Sequence, residues 1–325
     1  MARLVGGIAA SHSPQLSIPA DGWLRHGELE YRRLRELKLP GPEHAPTAVL
    51  DELRDELLES RYAQCQVAIE ATGRALDAMQ PDVLVVVGDD QRELFLDDVM
   101  PAVSIFWGDQ LWDRPPGMSV YPSSMERAYR YYHSEDEEPY RTNSSLGLHL
   151  VEQLVLADFD LAQLTEQPAG RSLGHAFTFI YRRVLEGTSL APDLVPVFLN
   201  TYYPPNQPTP RRCLELGAAL AAAVLSWPSD LRVALVASGG LTHPIIDEGL
   251  DRRLLAGLER RDWADLAALP VPNLVEGSSE IRNWLAVGAA LHAHQARIVD
   301  YIPAYRSELG SGCGMGFMVW TEPHS

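Results

Sequence analysis

The sequence predicts an α/β fold, a central and mostly buried sheet flanked by helices, in one domain of 325 residues with a helical insertion after the first strand. Three observations predict it. Short Val- and Ala-rich runs such as Leu4-Val5-Gly6-Gly7-Ile8-Ala9-Ala10 and Asp82-Val83-Leu84-Val85-Val86-Val87 are apolar throughout rather than alternating, the pattern of strands covered on both faces. Long stretches of helical periodicity separate them, which favours layered α/β topology. Each apolar run also ends in a short polar segment, and in open sheets of this kind ligands collect at strand ends.

Strands are expected at about 3–10, at 82–87 behind Pro81, and at 102–107, 194–199 and 233–237. Helices are expected at 147–156, 175–186, 211–226 after a Pro-rich turn, and 279–299. The last begins with a capping pattern, Ser278 or Ser279 accepting from first-turn amides and Glu280 near the positive end of the helix dipole. The insertion, about 20–80, shows helical charge patterning around 28–36 and again over 47–79, and reads as a cap over the site. Residues 109–143, rich in Pro, Tyr, Ser and Glu, read as a long loop of the lid type.

Composition narrows the function. The chain is 46% hydrophobic and 22% charged, enough to bury a large core. Its 44 acidic against 27 basic residues give a formal charge of -17, which argues against nucleic acid and anionic membranes as partners. No apolar run is long enough to span a bilayer. Three widely spaced cysteines, Cys65, Cys213 and Cys313, suit neither a disulfide framework nor a zinc site, so a cytoplasmic location is expected.

Four polar segments carry residue types that do chemistry. His12 follows the first strand in the segment Ser11-His12-Ser13-Pro14, which reads as an extended or turn conformation rather than a helix. His243 closes the turn Ser238-Gly239-Gly240-Leu241-Thr242-His243, whose paired glycines let backbone approach a ligand closely. Glu280 is followed by Asn283 and Trp284 on one helical turn, an acid, an amide and an aromatic wall. Gly88-Asp89-Asp90-Gln91 ends the second strand.

These segments, with Gly174-His175-Ala176-Phe177 and the closing Gly310-Ser311-Gly312-Cys313-Gly314-Met315-Gly316-Phe317, resemble in order the class III extradiol ring-cleavage dioxygenases, the family of the protocatechuate 4,5-dioxygenase catalytic subunit. The resemblance implies a non-haem Fe(II) held by two histidines and a glutamate, opening a catechol- or gallate-type ring with dioxygen. Carried over by position, His12 and Glu280 look like metal ligands, His243 like the acid/base residue, and His175 like a further pocket histidine. The chain departs from the pattern at the second histidine ligand, where it has Gln91. A glutamine carbonyl is a harder and weaker donor than imidazole; Asp90 and His44 are the substitutes the sequence offers. The resemblance also implies a homo-oligomer, a dimer, and a small lid subunit or an equivalent part of the chain itself.

The departure at Gln91 keeps a second reading open, a relative that binds an aromatic ligand or serves as a non-catalytic subunit. A hydrolase or lyase using His12 and Glu280 is a third. Tyr202, Tyr203, Asn200 and Asn206 in the Pro-rich turn read as packing or as pocket lining; Tyr305 and Arg306 as a surface ion pair or a carboxylate site; His292 and His294 as solvent-facing on a helix. The 310–316 segment lacks the Lys-Ser/Thr and the strand-to-helix context of a phosphate loop, so nucleotide binding is rejected.

Overall fold

The computed structural model describes residues 1–28, 47–114, 128–129 and 132–323. Eight strands form one sheet in the order β6-β3-β7-β2-β8-β1-β10-β9. They are β1 (Arg3–Ala10), β2 (Val83–Asp89), β3 (Val103–Phe106), β6 (Ala162–Leu164), β7 (Asp193–Leu199), β8 (Arg232–Ser238), β9 (Gln295–Tyr305) and β10 (Gly312–Thr321); β4 (Gln110–Asp113) and β5 (Glu138–Arg141) pair separately. The four central strands β7, β2, β8 and β1 run parallel, and so end at the same edge. Antiparallel β10 and β9 extend the sheet beyond β1.

The all-apolar runs form strands because both faces are covered. Val83, Val85 and Val87 of β2 enter one core cluster while Leu84 and Val86 enter the other, the period-two alternation of a pleated strand. On one face lies α1 (Asp55–Met79), burying Leu58, Cys65, Ile69 and Leu76. On the other lie α2 (Ser144–Leu156), α4 (Pro210–Ser226), α5 (Glu248–Arg260) and α6 (Ile281–Ala290). Helices α4 and α6 approach so closely that a Cβ on Gly217 would sit 2.0 Å from the Ala286 carbonyl oxygen.

The five expected strands are present with small shifts of their ends, and α1, with shorter helical stretches at residues 23–28 and Thr47–Glu52, makes up the described helices of the expected insertion. Four expectations need correction. The helix expected over 279–299 stops at Ala290, and 295–299 open strand β9. Neither Ser278 nor Ser279 caps it; Glu280 is the N-cap residue and its side chain makes no cap bond. The helix expected over 175–186 is a short α3 (His175–Phe179) followed by a π-helical turn, Ile180–Val184. The expected loop over 109–143 contains β4 and β5, which pair with each other. The patterned stretch at 28–36 beyond Glu28, His44 and the middle of 109–143 lie outside the described residues.

Candidate metal centre

His12 sits two residues past β1 with its ring enclosed. Its Nδ1 lies 3.0 Å from Ser238 Oγ at the end of β8, and that hydroxyl donates to the Ala176 carbonyl at 2.5 Å. With the serine proton committed, the imidazole must donate from Nδ1, which leaves the lone pair on Nε2. His12 Nε2 is buried without a hydrogen-bond partner, yet Glu280 Oε2 is 3.3 Å away. Two acceptors converging on one dry point fit a cation.

Glu280 is fully buried just before α6. Its Oε2 accepts from the Gly240 backbone N–H at 2.5 Å, and its Oε1 accepts from the Tyr202 hydroxyl at 2.6 Å. Burial alone would raise its carboxyl; the charge of the neighbouring His243 imidazolium overrides that and holds it well below the usual carboxylate range. Asp89, the last residue of β2, completes the cluster. One donor atom each from His12, Asp89 and Glu280 lies within 4.8 Å of the other two. Burial, and then the charge of Glu280, push Asp89 up to about 6.

The Gln91 side chain reaches the same cluster through its nitrogen. Nε2 is 3.2 Å from Asp89 Oδ2 and 3.4 Å from Glu280 Oε1. Asp90 turns away, its two oxygens accepting the backbone N–H groups of Arg92, Leu94 and Phe95 at 2.8–3.1 Å.

His243 donates from Nδ1 to the Leu241 carbonyl at 2.8 Å and turns Nε2 toward Glu280 Oε1 and the Tyr202 hydroxyl, at 3.3 and 3.4 Å. Burial disfavours its imidazolium, but Cys313 and Glu280 hold it well above the ordinary histidine value. Its turn is stapled by Ser278, whose hydroxyl contacts both the N–H and the carbonyl of His243 at 3.1 Å. Gly277 makes the room, since a Cβ there would lie 2.0 Å from the ring.

His175 packs edge-on against His12 with ring centroids 4.8 Å apart. Its Nδ1 bonds the Glu93 carboxylate, and against the effect of burial that charge raises it to about 9. Asn283 donates to Asp89 Oδ1 at 3.2 Å and to the Ser238 carbonyl at 2.9 Å, and Trp284 donates to the Gly239 carbonyl at 2.8 Å.

Other sequence candidates fall elsewhere. Asn200 and Asn206 bond each other and build the turn that carries Tyr202. Arg306 is buried and donates to Gln15, while Tyr305 donates to Glu248, so they are not a surface pair. His294 is buried beyond the end of α6, bonded to the Leu4 carbonyl, rather than solvent-facing on a helix; His292 is exposed in the same turn. Sequence reasoning placed Asp89 within the polar segment after the second strand but gave it no role, offering Asp90 and His44 in place of the missing histidine. It missed Tyr132, whose hydroxyl donates to the His12 carbonyl at 2.6 Å.

An α/β sheet whose parallel strand ends bring His12 and Asp89 together with Glu280 from the start of α6 in one buried cluster, with His243 and Tyr202 beside it, defines a protein with a candidate divalent-metal centre. Residues 43–306 match the family described as the catalytic LigB subunit of aromatic ring-opening dioxygenase, and the chain belongs to that family. The match includes Asp89, Gln91, His175, His243 and Glu280 but begins after His12, so the place of His12 rests on geometry. A gallate dioxygenase of Pseudomonas putida is 33% identical over 114 residues, 35% of this chain and 32% of that protein. A 2,3-dihydroxyphenylpropionate/2,3-dihydroxicinnamic acid 1,2-dioxygenase of Comamonas testosteroni is 24% identical over 176 residues, 54% of this chain and 47% of that protein. Each match therefore spans less than half of the relative's length. Among the described residues no helix is long and apolar enough to cross a membrane.

Proposed function

We propose that the chain is an aromatic ring-opening dioxygenase acting on a catechol- or gallate-type diol, with non-haem Fe(II) held by His12 and Glu280 beside Asp89. The observation that carries this reading is the buried, unpartnered Nε2 of His12 facing Glu280 Oε2 at 3.3 Å. When bound, such a cation supplies a Lewis-acid and redox centre with positions open to a diol and dioxygen. Family membership and both named relatives support the reaction class.

In this reading the protein's own groups divide the work. His243 takes the diol proton at Nε2, its ring fixed by the bond from Nδ1 to Leu241. Once the Glu280 charge is drawn to a cation, part of what raises His243 is withdrawn, and its nitrogen is free to accept. His175, held charged by Glu93, donates to an oxygen of substrate or dioxygen. Tyr202 orients Glu280 through its 2.6 Å bond. The buried surroundings exclude water. The product expected is a ring-opened semialdehyde acid. A homodimer, a small lid subunit and a cytoplasmic location belong to the same proposal.

Protein loaded anaerobically with Fe(II) tests it. About one iron per chain, diol-dependent oxygen uptake and a product heavier by two oxygen atoms are the expected results. Aromatic binding without iron or oxygen uptake would favour the non-catalytic reading that Gln91 raises, and a product without added oxygen would favour a hydrolase or lyase.

A further inference from the structure

We propose that Asp89 is the third donor of the cation site and that Gln91 is a positioning residue, making a set of one imidazole and two carboxylates that shifts preference toward harder divalent cations. This rests on the reading above that the pocket holds such a cation.

The roles follow from what each group can donate. An ionised carboxylate only accepts, so a side chain lying 3.2 Å from Asp89 Oδ2 and 3.4 Å from Glu280 Oε1 through Nε2 must present amide hydrogens to both. Gln91 therefore turns its nitrogen, which cannot ligate, toward the cluster. It lies in the place of an imidazole donor, yet here it spans two acids from different elements and offsets their mutual repulsion. Asp89 is held from the other side by Asn283 Nδ2 at 3.2 Å, and the same amide grips the Ser238 carbonyl at 2.9 Å. Ser238 in turn fixes the His12 ring. Asp89 and His12 are thus supported through one chain of bonds. Asp90 is excluded because both its oxygens are engaged by three backbone N–H groups.

Replacing one imidazole by a carboxylate changes the chemistry of the set. Imidazole suits iron, zinc and copper, whereas carboxylate oxygen suits manganese and magnesium. Mn(II) should therefore gain on Zn(II) relative to a site with two histidines.

The full chain, stripped of metal, is titrated separately with Mn(II) and Zn(II) against a chelating dye, and bound Mn(II) is followed by electron paramagnetic resonance. Expected are one Mn(II) per wild-type chain, a loss of about 100-fold or more in Asp89→Asn, and about tenfold with the stoichiometry kept in Gln91→Ala. Gln91→His should raise Zn(II) affinity more than Mn(II) affinity, an arm that leaves Asp89 untouched; thermal melts confirm that the variants fold. Wild-type affinity in Asp89→Asn, or loss of the site in Gln91→Ala alone, would overturn this assignment and leave the dioxygenase reading standing. A wild-type chain that binds neither cation would overturn both.

Discussion

At the residue scale the site is set by protons already placed. Ser238 commits its hydrogen to Ala176 and so fixes which nitrogen of His12 is bare. Leu241 does the same for His243 through its carbonyl. A residue that grips the cation and the histidine that moves the proton should therefore fail differently. Glu280→Ala is expected to abolish metal binding and oxygen uptake together, whereas His243→Ala keeps about one iron per chain and loses turnover by about 10²–10⁴-fold; metal analysis beside an oxygen electrode separates them. Gly277→Ala should resemble His243→Ala, because the added methyl displaces the ring while leaving the His12 and Glu280 donors in place. Full activity in that variant would mean that His243 need not hold its present position. His12, His243 and Glu280 were legible in the sequence because each stands in a polar segment just past an apolar run or at a helix start. Asp89 stands in such a segment too, but its role was not legible, because the expected histidine's position falls on Gln91 and the substitutes weighed were Asp90 and His44; only the extension of β2 to Asp89 aims that carboxylate at His12 and Glu280.

At the scale of elements, the continuous apolar runs announced the parallel strands, since only burial on both faces explains them. The glycine-rich end concealed β10. Gly312, Gly314 and Gly316 alternate along that strand, and a Cβ on Gly314 would lie 2.0 Å from Asp251 Oδ2, so missing side chains make room for α5 and the 241–243 turn. Helical spacing then misread the start of β9 as a continuation of α6. Asp251 joins these pieces, accepting from the Thr242 N–H and hydroxyl and from the Tyr301 hydroxyl at 2.8–2.9 Å. Burial raises its carboxyl from 3.8 to about 6. Its protonated form is thus favoured by folding, and that contribution is full below about pH 3.8 and lost as pH rises through about 6. The gap in melting temperature between wild type and Asp251→Asn should accordingly narrow from pH 4 to pH 7; a constant gap would contradict the raised carboxyl. Gly217→Ala, which forces α4 off α6, is expected to cost about 1–3 kcal/mol in denaturant unfolding.

For the whole molecule, topology explains why groups so distant in sequence meet. Strands β7, β2, β8 and β1 run parallel and release their chains at one edge, delivering Tyr202, Asp89, the 238–243 turn and His12, while the start of α6 brings Glu280 across them. The strong acidic balance of the chain, -17, makes this buried cluster consistent with a cation rather than a phosphate as its occupant. The central claim is that His12 and Glu280 grip one cation. Anomalous diffraction at the iron edge, from crystals soaked anaerobically in Fe(II), tests it most directly. A single peak within about 2.0–2.3 Å of His12 Nε2 and of a Glu280 carboxylate oxygen is predicted. A peak that touches neither residue, or no peak at saturating Fe(II), would contradict it.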